Sequence, residues 1–172
     1  MNSQAQKQVS SLVSSAVSGD IDAYGFYRGL TETITALLGC SRASLWRYQN
    51  DTLSAIVCLD LYDQHSATHT SGLRLAEADY GPYFAAIREQ GLIEASHARR
   101  HPATECFNAA YFEPHRIHSL LDVAINLSGK PYGLFCCEQV DRIKQWSTED
   151  VAVLKSVGLL CGMAFRKLQT SV

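Results

Sequence analysis

Apolar side chains in the N-terminal part of the chain return every three or four positions. Val9, Leu12, Val13, Ala16 and Val17 mark an amphipathic helix over residues 4–18, and Tyr24, Tyr27, Leu30, Ile34 and Leu37 mark a second. Gly19-Asp20 separates them, with Asp20 placed to cap the second helix and Gly39 placed to end it. The spacing then changes to that of strands. Residues 43–48 and 53–62 are rich in strand formers, and Asn50-Asp51 between them supplies turn chemistry, so a hairpin is expected. The polar stretch 63–72 reads as a loop, followed by a short strand near Gly72–Leu75.

Helical spacing returns at Ala78–Gln90, where Tyr80, Phe84 and Ile87 share a face and Gly91 closes the segment. Leu92–Ala95 reads as a short strand, residues 96–104 as a loop around Pro102, and Thr104–Phe112 as a short helix ending before Pro114. A second hairpin follows, Ser119–Leu127 and Tyr132–Val140 around Ser128-Gly129-Lys130, in which Gly133 suggests a close backbone approach or a bulge. In the last helix, over residues 147–168, Ser147 and Asp150 form a capping pair and Trp146 is placed to staple onto Val151. Its stripe of Val151, Leu154, Val157, Cys161, Ala164 and Leu168 is widened by Val153, Leu160 and Phe165. That width calls for a second apolar partner, either the N-terminal helix or another subunit.

This order of elements predicts an α+β domain with an antiparallel sheet. Composition narrows the chemistry. At 172 residues and 47% hydrophobic, the chain can bury a full core as one domain. A net charge of −2 argues against a nucleic-acid-binding surface. No apolar run approaches bilayer length, and the serine-rich N-terminus does not read as a secretory signal, so no membrane partner and a cytoplasmic location are expected. Most of the six cysteines lie in apolar segments and none forms a C-x-x-C pair, the pattern of small buried hydrophobes.

Several segments resemble bacterial GAF domains in the same order: Ala43–Trp46, Cys58–Asp63, Ala78–Phe84, His97–Thr104 (similar to a D-A-R-x-x-P-x-T loop), Ser119–Ile125 (similar to S-M-L-D-x-P-I), Gly129–Cys136 and Trp146–Asp150. The likeness spans roughly residues 20–168. It departs at His97, where Asp is usual, and at Ala124, where Pro is common. The resemblance implies a GAF/PAS-like antiparallel sheet of five to six strands with central order 2-1-6-5. Terminal helices would cover one face, and short helices would cover a pocket on the other. It also implies a division into an N-terminal dimer or signalling helix, residues 1–19, and a GAF domain, residues 20–172. The function it implies is a non-catalytic sensory module that binds an unknown small molecule, dimerises through its terminal helices and acts on an effector such as a cyclase, phosphodiesterase or histidine kinase in a full-length protein. A dimerisation module without a ligand and a thiol enzyme reducing free methionine sulfoxide are the alternatives.

The pocket is expected between the sheet and residues 78–115, lined by Trp46, Tyr80, Tyr83 and Tyr111, with Phe84 and Phe112 as further aromatic candidates. Asp122 is the one charge in an apolar run. Burial would demand a partner, with Arg99 and Arg100 the nearest candidates for a structural salt bridge, or a ligand. Glu138 reads as solvent-exposed or bonded to backbone, and joins Arg99 and Asp122 as a polar candidate. His97 and His101, like His115 and His118, have a spacing that suits zinc only on a helix, which Pro102 opposes at the first pair, so neither a metal nor a cofactor is expected. Cys136 and Cys137 should face opposite sides of their strand, and Cys106 lacks the following His that marks bilin attachment.

Overall fold

A computed structural model describes Met1 and residues 3–169. Two helices lead, α1 (Ser3–Ser18) and α2 (Ala23–Leu38). The strands β1 (Arg42–Tyr48), β2 (Ala55–Asp63), β3 (Thr68–Thr70) and β4 (Arg74–Ala76) follow, then α3 (Gly81–Gln90) and β5 (Leu92–Ala95). Three short helical turns, Ala98–Arg100, Glu105–Phe107 and Asn108–Phe112, precede the long hairpin β6 (Ile117–Leu127) and β7 (Lys130–Val140). The described chain closes with α4 (Thr148–Leu160) and α5 (Gly162–Gln169).

The sheet is antiparallel in the order β3-β2-β1-β7-β6-β5, with β4 pairing elsewhere along β2. The expected central order is present as β2-β1-β7-β6. Period-two alternation divides the sheet between two cores. Leu121, Val123 and Ile125 of β6, with Phe135 and Cys137 of β7, join α1, α2, α4 and α5 in one cluster. Leu120 of β6, with Leu134 and Cys136 of β7, joins α3 and the short helical turns in the other. Cys136 and Cys137 therefore do face opposite sides.

Local chemistry accounts for the element ends. Gly39 adopts a left-handed φ of 57°, and its N–H closes α2 on the Thr35 carbonyl. Ser147 and Asp150 complete a reciprocal capping box on α4. A Cβ at Gly133 would stand 1.9 Å from the Trp46 carbonyl oxygen, beside the register shift between Leu45 and Trp46. The expected close approach is thus between paired strands β1 and β7, where Gly133 lies opposite Arg47 and only glycine fits.

Four expectations change. The cap of α2 is Asp22, whose carboxylate accepts from the Gly25 N–H at 2.7 Å, while Asp20 accepts from the Ser18 hydroxyl at 2.6 Å. Helix α3 starts at Gly81 rather than Ala78, because Pro82 belongs in a first turn and Asp79 is folded back by a bond to the Ala76 carbonyl. The terminal helix divides at Cys161, between Gly158 and Gly162, although the Cys161 N–H still reaches the Val157 carbonyl at 3.0 Å. The loop 63–72 contains β3, held by buried polar bonds rather than by apolar periodicity: His69 Nδ1 lies 2.9 Å from Asp60, its Nε2 lies 3.0 Å from Glu32, and the Thr31 hydroxyl donates to Asp60 at 2.5 Å. The second partner of the wide terminal stripe is α1, which packs on α4 and α5 and buries Ala5, Val9, Val13 and Ala16.

Candidate functional site

Helix α3 crosses the sheet face opposite α1, α2, α4 and α5, with Tyr83, Phe84 and Ile87 turned inward. Residues 105–112 bring further rings against it. The Tyr80 and Phe107 rings stack at 4.4 Å, Tyr83 meets Phe107 edge-on at 5.1 Å, and Phe107 meets Phe112 at 5.6 Å. Because Asn108–Phe112 forms a single wide turn rather than an α-helix, Phe107, Tyr111 and Phe112 all reach the same space. Between these rings and the sheet lies a cavity of about 140 Å³.

Six of the seven expected ligand residues line it: Trp46, Tyr80, Tyr83, Tyr111, Asp122 and Glu138. Phe112 lines it too, whereas Phe84 is buried behind Tyr83. Arg99 does not line it. Its guanidinium donates to the carbonyls of Ile117 at 2.7 Å and Phe112 at 3.2 Å, so it ties the short turns to the start of β6. Phe107, Leu73, Leu75, Leu120, Cys136 and, at the exposed rim, Ala110 join the lining without having been expected there. The signal for Leu120 and Cys136 was present in the strand alternation that places them on the side of Asp122.

Asp122 is 1% exposed. The Tyr83 hydroxyl donates to its Oδ2 at 2.5 Å, and its Oδ1 has no hydrogen-bond partner. The expected salt bridge to Arg99 or Arg100 is absent; a tyrosine takes that place because Arg99 is spent on backbone carbonyls. Glu138 is also buried, at 3%, correcting its reading as exposed. It accepts from the Tyr111 hydroxyl at 3.2 Å, and Arg42 Nη1 stands 3.6 Å away across the β1–β7 pairing. Arg42 in turn donates through Nε to Asp63 at 2.8 Å.

Burial dominates the electrostatics. It pushes the Asp122 carboxyl up to about 7 against the pull of Tyr83 and Cys136, and repulsion from Glu138 adds to the rise. Burial likewise lifts Glu138 to about 7, against the opposing pull of Arg42 and Tyr111. The Tyr83 and Tyr111 hydroxyls and the Cys136 thiol all move upward, through burial first and the neighbouring acids second. Burial also raises the thiols of Cys58, Cys106, Cys137 and Cys161. None of these five is drawn toward the thiolate that nucleophilic chemistry needs. Among the described residues no group of three His, Cys, Asp or Glu side chains is placed to hold a metal ion.

The sequence profile of the GAF domain matches residues 25–165. The chain belongs to the GAF domain family. Solved structures share its fold at low identity. The phycoerythrobilin-bound GAF domain of a cyanobacterial phytochrome superposes with a TM-score of 0.73 at 13% identity, over 99% of both chains. Residues 122 to 287 of a methyl-accepting chemotaxis protein give 0.73 at 15% identity, over 95% of this chain and 98% of that one. The GAF domain of an Acinetobacter phosphoenolpyruvate-protein phosphotransferase gives 0.66 at 10% identity, over 99% of both. At these identities the likeness is one of fold. No curated protein matches the chain. Within the GAF frame, the His97–Thr104 loop works as a brace: Arg99 holds two carbonyls, and the Thr104 hydroxyl donates to the Ala98 carbonyl at 2.7 Å. His97, where Asp is usual, precedes the first short turn and makes no side-chain cap.

Proposed function

We propose that this GAF domain is a sensory module that binds a small molecule in the cavity beneath α3 and passes occupancy to a partner through its terminal helices. The observation that carries the reading is the cavity itself, walled by aromatic rings and bordered by two buried acids. Small-molecule sites combine mainly apolar walls with a few fixed polar groups in this way. The reading without a ligand expects a filled core beside Tyr83 and Asp122, where the cavity lies. The GAF domain of a cyanobacterial phytochrome, similar in fold, holds phycoerythrobilin. A bilin fits this chain poorly, since Cys106 is followed by Phe107 and the cavity is on the scale of one ring, not four.

Relay through a dimer is supported by the outer face of the terminal helices. Leu159 and Met163 are 81% and 60% exposed there, and a groove between α1 and the C-terminal helices is lined by Val13, Val17, Leu160 and Met163. A ligand acts on such a dimer only through unequal affinity for two arrangements of its helices. The effector is proposed to be a signalling domain of the cyclase, phosphodiesterase or histidine kinase kind. A cytoplasmic setting is consistent with six free cysteines and, among the described residues, no helix long and apolar enough to cross a membrane.

Native mass spectrometry of protein purified from cells tests both parts. A homodimer carrying a small-molecule adduct is expected. Ala110→Trp, which plugs the mouth of the cavity, should remove the adduct and keep the dimer, while Leu159→Glu should do the reverse. An adduct that survives Ala110→Trp would place the ligand elsewhere.

A further inference from the structure

We infer that the cavity selects a compact ring bearing an N–H donor or a positive charge, such as an amine, an amidine or a protonated heterocycle, with that group seated against Asp122 Oδ1. The inference rests on the pocket reading and adds the chemistry of the occupant.

Hydrogen-bond accounting points to it. The cavity holds two tyrosine hydroxyls in reach of the acids, and both protons are committed: Tyr83 donates to Asp122 and Tyr111 donates to Glu138. Trp46 donates its ring N–H to the Ser44 hydroxyl at 2.8 Å. Apart from the Tyr80 hydroxyl and the weakly donating Cys136 thiol beside Asp122, what the wall still offers is acceptor capacity, above all Asp122 Oδ1, which is buried and has no hydrogen-bond partner. A buried acceptor left unsatisfied is costly, and a ligand donor removes that cost.

Charge points the same way. No Lys, Arg or His side chain is among the lining residues, and the nearest guanidinium, Arg42, already faces Glu138 and Asp63, so a phosphate or carboxylate beside Asp122 would meet a buried acid with no cation of its own. Arg42 reaches Glu138 without lining the cavity, and its Nε is engaged by Asp63. The walls are also suited to a cation, because Tyr80, Tyr83, Phe107 and Trp46 present ring faces or edges around the space. The volume of about 140 Å³ is of the order that accommodates a single aromatic ring. Leu73, half exposed at the rim, leaves room for a substituent to extend outward.

Three near-isosteric probes separate the possibilities: benzamidine, benzyl alcohol and benzoate, each titrated into the protein and followed by chemical-shift changes at the Trp46 indole. Benzamidine should bind at least about tenfold more tightly than benzyl alcohol, the scale of one hydrogen bond to a charged group, and benzoate should be weakest. Asp122→Asn should erase most of that preference while sparing benzyl alcohol. If this variant fails to fold, the wild-type ranking alone decides between a donor and an acceptor ligand. Benzyl alcohol or benzoate matching benzamidine at this site overturns the donor assignment and leaves the pocket reading intact. Silence from all three probes at Trp46 overturns both.

Discussion

The two faces of the sheet are made by the same strands and reach opposite solutions. On the helical face, Phe165 is fully buried among Phe26, Tyr132 and Phe135, with ring centres 5.8, 4.7 and 6.4 Å away. On the α3 face, the equivalent depth holds Asp122 and Glu138, tyrosines bonded to them, and a cavity. A one-residue step along β6, from Leu121 to Asp122, passes from one regime to the other. Close packing stabilises one side, whereas the other retains buried acids and open space that an uninterrupted apolar core would not contain.

The largest test of that contrast removes a ring from the packed side. Phe165→Ala should cost about 3–5 kcal/mol in urea unfolding, because the three surrounding rings are held by β7 and α2 and cannot close on the gap. A cost below about 1 kcal/mol would mean that the helical face is as loosely filled as the other.

Much of this division was legible in the sequence. Alternation along Ser119–Leu127 placed Leu121, Val123 and Ile125 together, and a lone charge in that run marked Asp122 as the residue to explain. Phe107, Glu138 and Arg99 were harder to read. Burial of Glu138 depends on Arg42 across a strand pairing and on Tyr111 from a distant turn, contacts that no local period encodes. Arg99 pairs with carbonyls rather than with the nearest acid, and its partners exist only once residues 108–117 have folded back on it. Strand β3 escaped for a related reason: its anchor is the Thr31–Asp60–His69 bonding, assembled from three separate elements.

The α3 face should also be the side that responds to pH. Asp122 and Glu138 titrate near 7 in the folded chain and near 4 when unfolded, so the folded state holds more protons between those values. Their contribution to stability is therefore complete below about pH 4 and is lost as the pH rises through about 7. Asp63, which hydrogen bonds from Arg42 hold below the usual carboxylate range despite its partial burial, works in the opposite sense, but only at acid pH. Melting should occur at higher temperature at pH 5 than at pH 8, by on the order of 2 kcal/mol or roughly 4–8 °C. Asp122→Asn should flatten the slope by about half and raise stability at pH 8. A slope unchanged in this variant would move the titration to other groups.

The smallest expected effect is the most direct comparison of the two faces. Leu120 and Leu30 are the same residue type, both buried, one beside the cavity and one in the helical core. Leu30→Ala removes contacts from a fully buried side chain in that core, and should fall within the usual range of about 2–5 kcal/mol. At Leu120 one side already borders open space, so fewer contacts disappear, and water can enter the enlarged cavity and bond to Asp122 Oδ1. Leu120→Ala should therefore cost only about 1 kcal/mol in urea unfolding. Equal losses for the two substitutions would show that the cavity is closed by motion in solution, and that the faces differ in polarity but not in packing.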